Sequence, residues 1–218
     1  MVSSNQIRIL IVDLKPILRL GLRALAEQDP NMEVAAEAES ADQAIRAVHA
    51  EEVDLVIVDS SLGSRASLEV VSRLRSEYSR LPILVISEDS ETVWGTRMIQ
   101  AGAQGYILHA DPLHHLRSAI RNLAAGKPWI SSAIRERVVS RITGQVYDSV
   151  DSLSNREFEV FTRIGRGEDS RVIAGAMGIC TKTVDSHRER IKAKLGARGA
   201  RDLVRRAVLF VENETGRF

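Results

Sequence analysis

Apolar positions follow two alternating rhythms in the first part of the chain. Strand candidates lie at residues 7–12, 32–36, 54–58, 83–86 and 105–108, several of them near-continuous Val, Ile and Leu. Runs of this kind are expected of strands buried on both faces of a parallel sheet. Between them, apolar residues recur at helical spacing over 16–27, 41–49, 67–78, 91–101 and 112–125. In the first of these, Ile17, Leu18, Leu22 and Leu25 share one side, and Pro16 suits a first helical turn. Five strand–helix units in succession predict a doubly wound parallel sheet.

The rhythm changes at Gly126-Lys127-Pro128, a cluster of breaker residues. Residues 131–142 then predict a connecting helix carrying Ile134, Val138, Val139 and Ile142. Residues 143–151 hold Gly144, Asp148 and Asp151 with little apolar periodicity and are expected to be a flexible segment. From Ser152 onward no strand pattern occurs, and helices are predicted at about 155–166, 170–177, 182–195 and 200–212. The expected organisation is an α/β domain over 1–126, a linker over 127–151 and an all-α domain over 152–218.

Charge sharpens this division. The net charge of the 218 residues is +1, but residues 1–126 hold 12 Lys and Arg against 17 Asp and Glu, and residues 127–218 hold 18 against 12. An acidic half joined to a basic half points to a polyanion as partner of the second. The 44% apolar and 27% charged composition is that of a soluble globular protein. No apolar run approaches the roughly 20 residues that cross a bilayer, and residues 7–12 are too short for a signal-peptide core. A lone cysteine, Cys180, excludes an internal disulfide, and a cytoplasmic location without membrane association is expected.

The C-terminal half carries the most specific pattern. Ser154-Asn155-Arg156-Glu157 has the spacing of a capping box. Gly167 allows a break, 170–177 forms a short helix with Ile173 and Met177 inward, and Gly178-Ile179 turns the chain. Thr181 or Cys180 caps the next helix, in which Val184, Ile191 and Leu195 pack inward and the remainder is polar and strongly basic. Cys180 reads as a small residue beside a turn rather than a redox sensor. Residues 153–209 resemble the LuxR-type helix-turn-helix of the NarL/FixJ response regulators. The resemblance implies that the helix of 182–195 enters the major groove of double-stranded DNA. Asp185, Ser186 and Glu189 would then face base edges, and Lys182, Thr183, His187, Arg188, Arg190 and Lys194 would lie near phosphates. Acidic readers accept from a cytosine amino group but repel phosphate, so modest affinity per monomer is expected. Leu203, Val204, Ala207, Val208 and Val211 exceed the apolar needs of one helix face, and in this family the fourth helix pairs with its copy. A homodimer is expected.

Residues 7–126 resemble a receiver domain, the flavodoxin-like (βα)5 phosphoacceptor module of two-component signalling. The resemblance makes Asp59, closing the third strand, the phosphoacceptor, with Asp13, Lys15, Ser87, Tyr106 and His109 in the pocket around it. Ser87 stands where receivers sense the phosphate, and Tyr106 at the aromatic position whose rotation reports it. Two positions depart from the pattern. Leu14 replaces the second of the paired acids after the first strand, and in this family that acid is a direct Mg²⁺ ligand. His109 replaces the lysine after the fifth strand that holds phosphoryl oxygens. Asp13 and Asp59 are left as weak Mg²⁺ candidates, and no metal or other cofactor is expected. Phosphoryl transfer depends on neutralisation and positioning, so both losses should cripple it. Lys15, following the missing acid, could place its ammonium near Asp13 and Asp59 in the cation's stead; a lysine pointing into solvent is the alternative. Trp94 could mark a partner surface, and Trp129 could pack the linker helix.

The expected function is a dimeric DNA-binding transcription regulator whose receiver works without Mg²⁺-dependent phosphorylation, partnered by a sensor kinase or another regulator. The alternatives are a slow, conventional phospho-activated regulator at Asp59, and a sequestering module with a decayed helix-turn-helix. No nucleophile–base pair, phosphate loop or metal cluster is legible, so an enzyme is not expected.

Overall fold

The computed structural model describes residues 6–88, 91–143 and 149–215. It divides into two compact units, Met1–Val138 and Val139–Phe218. Most of the segment expected to be flexible, 144–148, lies outside the described residues, and Ser149–Ser152 forms a single 3-10 turn.

The first unit alternates strands and helices: β1 (Ile7–Val12), α1 (Pro16–Glu27), β2 (Met32–Ala38), α2 (Ala41–Ala50), β3 (Leu55–Asp59), α3 (Ser64–Glu77), β4 (Ile83–Ser87), α4 (Thr96–Ala101), β5 (Gly105–Leu108) and α5 (Leu113–Ala124). Helix α6 (Ser132–Ile142) follows, and the division between the units falls within it. The strands form one parallel sheet in the order β2-β1-β3-β4-β5. The winding reverses at β1, which opens a crevice at the carboxyl ends of β1 and β3. Val12 pairs with Val58 in register, so Asp13 and Asp59 emerge side by side at that crevice.

The sequence explains the sheet. Strands β1, β3, β4 and β5 are largely buried on both faces, whereas the edge strand β2 is partly exposed, and period-2 alternation divides the side chains. Ile9, Ile11, Ile57, Leu84 and Ile107 pack with Leu25 of α1 and Leu116, Ile120 and Leu123 of α5 in one cluster. Each fully buried side chain of this size contributes about 1.5–3 kcal/mol. Leu10, Val12, Val56, Val58 and Val85 alternate with them and are equally buried.

Residues 91–101 depart from the single predicted helix. Glu91–Gly95 forms a wide π turn, and α4 is only six residues long. Gly95 explains why no larger residue stands there: a Cβ on it would come within 2.7 Å of Ile134 Cδ1 on α6 and 3.5 Å of Tyr106 Cδ1. Trp94 is 2% exposed, which makes it core rather than a partner surface. Trp129 extends the sheet edge: its carbonyl accepts from Tyr106 N at 3.0 Å and its amide donates to Gln104 O at 3.0 Å.

The second unit holds α7 (Asn155–Gly165), α8 (Ser170–Met177), α9 (Thr181–Leu195) and α10 (Ala200–Thr215). The predicted capping box forms: Ser154 Oγ accepts from Glu157 N at 3.3 Å, and Glu157 Oε2 accepts from Ser154 N at 2.9 Å. Asp169 caps α8 by accepting from the amides of Arg171 and Val172. Gly178, at φ 63°, ends α8 in the left-handed conformation that glycine adopts at least cost. Cys180, not Thr181, is the N-cap of α9. Phe158, Phe161, Ile164, Ile173, Val184, Ile191, Leu203 and Ala207 make the core, with the Phe210 ring 5.8 Å from Phe158 and 5.6 Å from Phe161. No helix among the described residues is long and apolar enough to cross a membrane.

Candidate functional site

The first candidate site lies in the crevice at the ends of β1, β3 and β5. Asp13 and Asp59 are buried, at 0% and 2% exposure. Asp13 Oδ1 accepts from Lys15 N at 2.8 Å and from the Ser61 hydroxyl. Asp59 Oδ1 accepts from Ser61 N at 2.7 Å. The other Asp59 oxygen, Oδ2, faces His109 Nε2 at 2.5 Å. The remaining His109 nitrogen, Nδ1, lies 3.5 Å from Glu88 Oε1, and Lys15 Nζ bonds that same Glu88 oxygen at 2.9 Å. The Lys15 hydrogen bond holds the Glu88 carboxyl below its usual range, and Glu88 in turn raises the Lys15 ammonium.

This geometry corrects one expectation. Lys15 does not place its ammonium on Asp13 or Asp59; it reaches outward to Glu88, where both side chains are largely exposed. The group on Asp59 is His109. The ring stands where the receiver pattern has a lysine, and its shorter reach is met because His109 N is tied to Ser87 O at 2.8 Å. Ser87 and Tyr106 are both buried, at 1% each, on the strands flanking this site.

The donor set does not fit the Mg²⁺ that receivers use. Leu14 supplies no oxygen and is 47% exposed. Asp59 Oδ2 is covered by His109, and Asp13 Oδ1 carries two donors. Asp13 Oδ2 alone is buried without a hydrogen-bond partner. The pocket therefore offers Mg²⁺ fewer carboxylate oxygens than the paired acids of the receiver pattern.

The second candidate site is the outward face of α9. Lys182, Asp185, Ser186, Glu189 and Arg190 are exposed, and Thr183 and Arg188 are half-buried. Several of the residues expected there are engaged within the unit. Lys194 Nζ bonds Glu157 Oε2 at 2.7 Å and Ser152 O at 3.2 Å, so its ammonium clamps α9 onto the start of α7 instead of standing free for phosphate. Burial of Glu157 raises its carboxyl, but Lys194 and Ser154 outweigh that and hold it below its usual range. His187 is partly buried, its Nδ1 is enclosed without a partner, and burial lowers its affinity for a proton. Asp185 Oδ1 accepts from Ser170 Oγ at 3.1 Å, linking α8 to α9. Glu189 pairs with Lys192 at 2.7 Å along the helix. On α10, Leu203 and Ala207 are core, whereas Val204 is 38% and Leu209 45% exposed.

Sequence reasoning missed Glu88, Ser61 and Gly165. The first two lie in loops whose neighbours depend on the strand order. Gly165 looked like any helical glycine, yet a Cβ there would meet the Ala207 carbonyl of α10.

Comparison with known proteins agrees with both halves. Residues 9–121 match the response regulator receiver domain, and residues 151–207 match the bacterial regulatory proteins of the luxR family. Response regulator UvrY of Escherichia coli O6:H1 is 28% identical over 204 residues, covering 93% of this chain and 94% of its own. The nitrate/nitrite response regulator protein NarP of E. coli K12 is 29% identical over 215 residues, covering 97% and 98%. RcsB from Salmonella enterica serovar Typhimurium, bound to promoter rprA in the presence of phosphomimetic BeF3−, shares the fold with a TM-score of 0.63 at 20% identity, over 92% of this chain and 98% of that one. Strand order, helix-turn-helix and both family matches place this chain among the NarL/FixJ-type response regulators: it belongs to that family, with a flavodoxin-like receiver followed by a LuxR-type helix-turn-helix domain.

Proposed function

We propose that this protein is a DNA-binding transcription regulator whose receiver operates without Mg²⁺-dependent phosphorylation of Asp59. The observation that carries the receiver half of this reading is the contact of His109 Nε2 with Asp59 Oδ2. It covers the oxygen that would attack a phosphoryl donor, and it matches the carboxylate from within the chain. Leu14 removes a metal ligand from the same pocket. Removal of a single preorganised donor from another active site costs about 10²–10³ in rate, and this pocket lacks two charge-stabilising groups.

DNA binding is supported by the basic, exposed face of α9 and by its presentation. The capping box, the Gly178 turn and the Lys194–Glu157 clamp hold the helix rigidly, so its outward residues occupy fixed positions. Lys182, Arg188 and Arg190 supply phosphate contacts. Ser186, Asp185 and Glu189 face the bases, with Asp185 already oriented by Ser170. The exposed apolar side chains Val204 and Leu209 on α10 are consistent with a dimer, which would double the contact surface and set half-site spacing. The domain division follows the same reading: a receiver over 1–126, a linker to 151 and the DNA-binding domain beyond.

Enrichment of bound duplexes from a random pool tests this. The expected result is a two-fold symmetric consensus, with affinity falling steeply as salt rises. Lys182→Ala and Arg190→Ala should each weaken every duplex alike and reduce the salt slope by about one. Binding without sequence selection, unaffected by these changes, would favour the sequestering-module reading.

A further inference from the structure

Asp185, Ser186 and Glu189, the side chains of α9 expected at base edges, are each held differently. Ser186 Oγ donates to Lys182 O of its own helix at 2.9 Å. Glu189, its side chain 71% exposed, pairs with Lys192 along the same helix at 2.7 Å. Asp185 is held from another helix. Ser170, the first residue of α8, donates from Oγ to Asp185 Oδ1 at 3.1 Å, across a sequence separation of 15 residues. Asp185 Oδ2 has no partner among the described residues, and Asp185 is exposed.

The donor is fixed by its own helix. Asp169 Oδ1 accepts from Arg171 N at 2.8 Å and from Val172 N at 2.9 Å, and Asp169 O accepts from Ile173 N at 2.9 Å, so the turn that carries Ser170 is closed. Ile173, Ala174 and Met177 anchor α8 in the core that also holds Val184 and Ile191 of α9. Across the Gly178 turn, Ile179 N donates to Ala174 O at 3.0 Å, which sets how α8 meets α9. A serine hydroxyl has one O–H, and here it is committed to the carboxylate. An aspartate left alone beside phosphates would turn its carboxylate away from them, because like charges repel. A hydrogen bond from a neighbouring helix holds the side chain before DNA arrives, so the ordering cost falls on folding rather than on binding.

We infer that Ser170 is a positioning residue for sequence reading: by holding Oδ1 of Asp185 it directs Oδ2 to accept from a cytosine amino group in the major groove. A serine on the supporting helix thereby sets the preference at one base pair of each half-site. This inference rests on the DNA-binding reading above and deepens it. A tie that served only to join α8 to α9 would behave otherwise. Its loss would lower the melting temperature and weaken every duplex alike, with no change in which sequence is preferred.

The test is enrichment of duplexes from a random pool by the full-length protein and its variants, followed by titration of the winning duplex and its single-base changes. Asp185→Ala identifies the base pair read, where the wild type prefers cytosine and the variant does not. Ser170→Ala should lower the preference at that same base pair about three- to tenfold, with the other positions, the salt slope and the melting temperature unchanged. Ser170→Thr, which keeps the hydroxyl, should keep the preference. Ser170→Ala should add nothing in the Asp185→Ala background, as coupled residues require. Asp185→Asn gives a second reading should Ser170→Ala not fold. Its Oδ1 can still accept from Ser170, so Nδ2 is presented as a donor and the cytosine should give way to a base with an acceptor edge. A Ser170→Ala consensus identical to that of the wild type, a loss shared equally by all duplexes, or cytosine still preferred by Asp185→Asn would overturn the proposal and leave DNA binding standing. A wild type that selects no sequence would overturn the DNA-reading function and this inference with it.

Discussion

His109 Nε2 lies 2.5 Å from Asp59 Oδ2, at the point where a receiver's lysine would meet a phosphoryl oxygen. The side chain that replaces the lysine contacts the nucleophile instead of waiting for the transferred group. Leu14, on the neighbouring loop, supplies no oxygen, and Asp13 Oδ2 remains the pocket's unpartnered carboxylate oxygen.

Restoring the two departures should restore the chemistry. Leu14→Asp together with His109→Lys returns an oxygen ligand and a longer cation. Phosphorylation by acetyl phosphate in Mg²⁺ should then rise by about 10²-fold or more over the wild type. Mass spectrometry of timed samples measures it. Equal rates in the double variant and the wild type would show that neither position limits the reaction.

The Lys194–Glu157 clamp predicts a stability effect from a residue that otherwise reads as a phosphate contact. Lys194→Met leaves the Glu157 carboxylate, only 6% exposed, with its Ser154 bond but without its cation. The C-terminal unit should lose about 1–3 kcal/mol, read from urea unfolding of the protein. A variant of unchanged stability with weakened DNA binding would make Lys194 a phosphate contact after all.

Gly165 makes the same point through packing. Alanine there would drive a Cβ into the Ala207 carbonyl, a backbone atom that cannot move aside. Gly165→Ala should destabilise the unit by about 1–3 kcal/mol, although alanine is the better helix former. A thermal melt decides between the two, because the propensity effect alone would raise the midpoint.

Asp202 predicts a pH dependence. The Arg198 amide, Arg206 and Arg205 hold its carboxyl at about 2, against 3.8 in the unfolded chain. The unfolded state binds the proton first as pH falls, so the contribution is complete above pH 3.8 and is lost on the way down through pH 2. Asp202→Asn should therefore flatten the decline in melting temperature over that window. An unchanged decline would assign the acid sensitivity to other carboxylates.

Much of this architecture was legible in the sequence because it rests on local rules. The five apolar runs named every strand, and Ser154 with Glu157 announced a capping box that formed as written. Leu14 and His109 stood out as departures because a pattern existed to depart from. What stayed hidden depends on contacts between distant elements. The partner of Lys15 is Glu88, 73 residues away, and that of Lys194 is Glu157, 37 residues away. Helical periodicity over 91–101 gave no sign of the π turn, and Trp94 looked available until the fold enclosed it.

The central claim is that Asp59 no longer acts as a phospho-switch, and the intact mass of the purified protein after incubation with acetyl phosphate and Mg²⁺ tests it most directly. A conventional receiver serves as the positive control, and Asp59→Ala as the negative. An unmodified mass is expected under conditions in which the conventional receiver is phosphorylated. A phosphoryl adduct that disappears in Asp59→Ala would contradict it and make this an ordinary phospho-regulated member of its family, with His109 displaced when the phosphoryl group arrives.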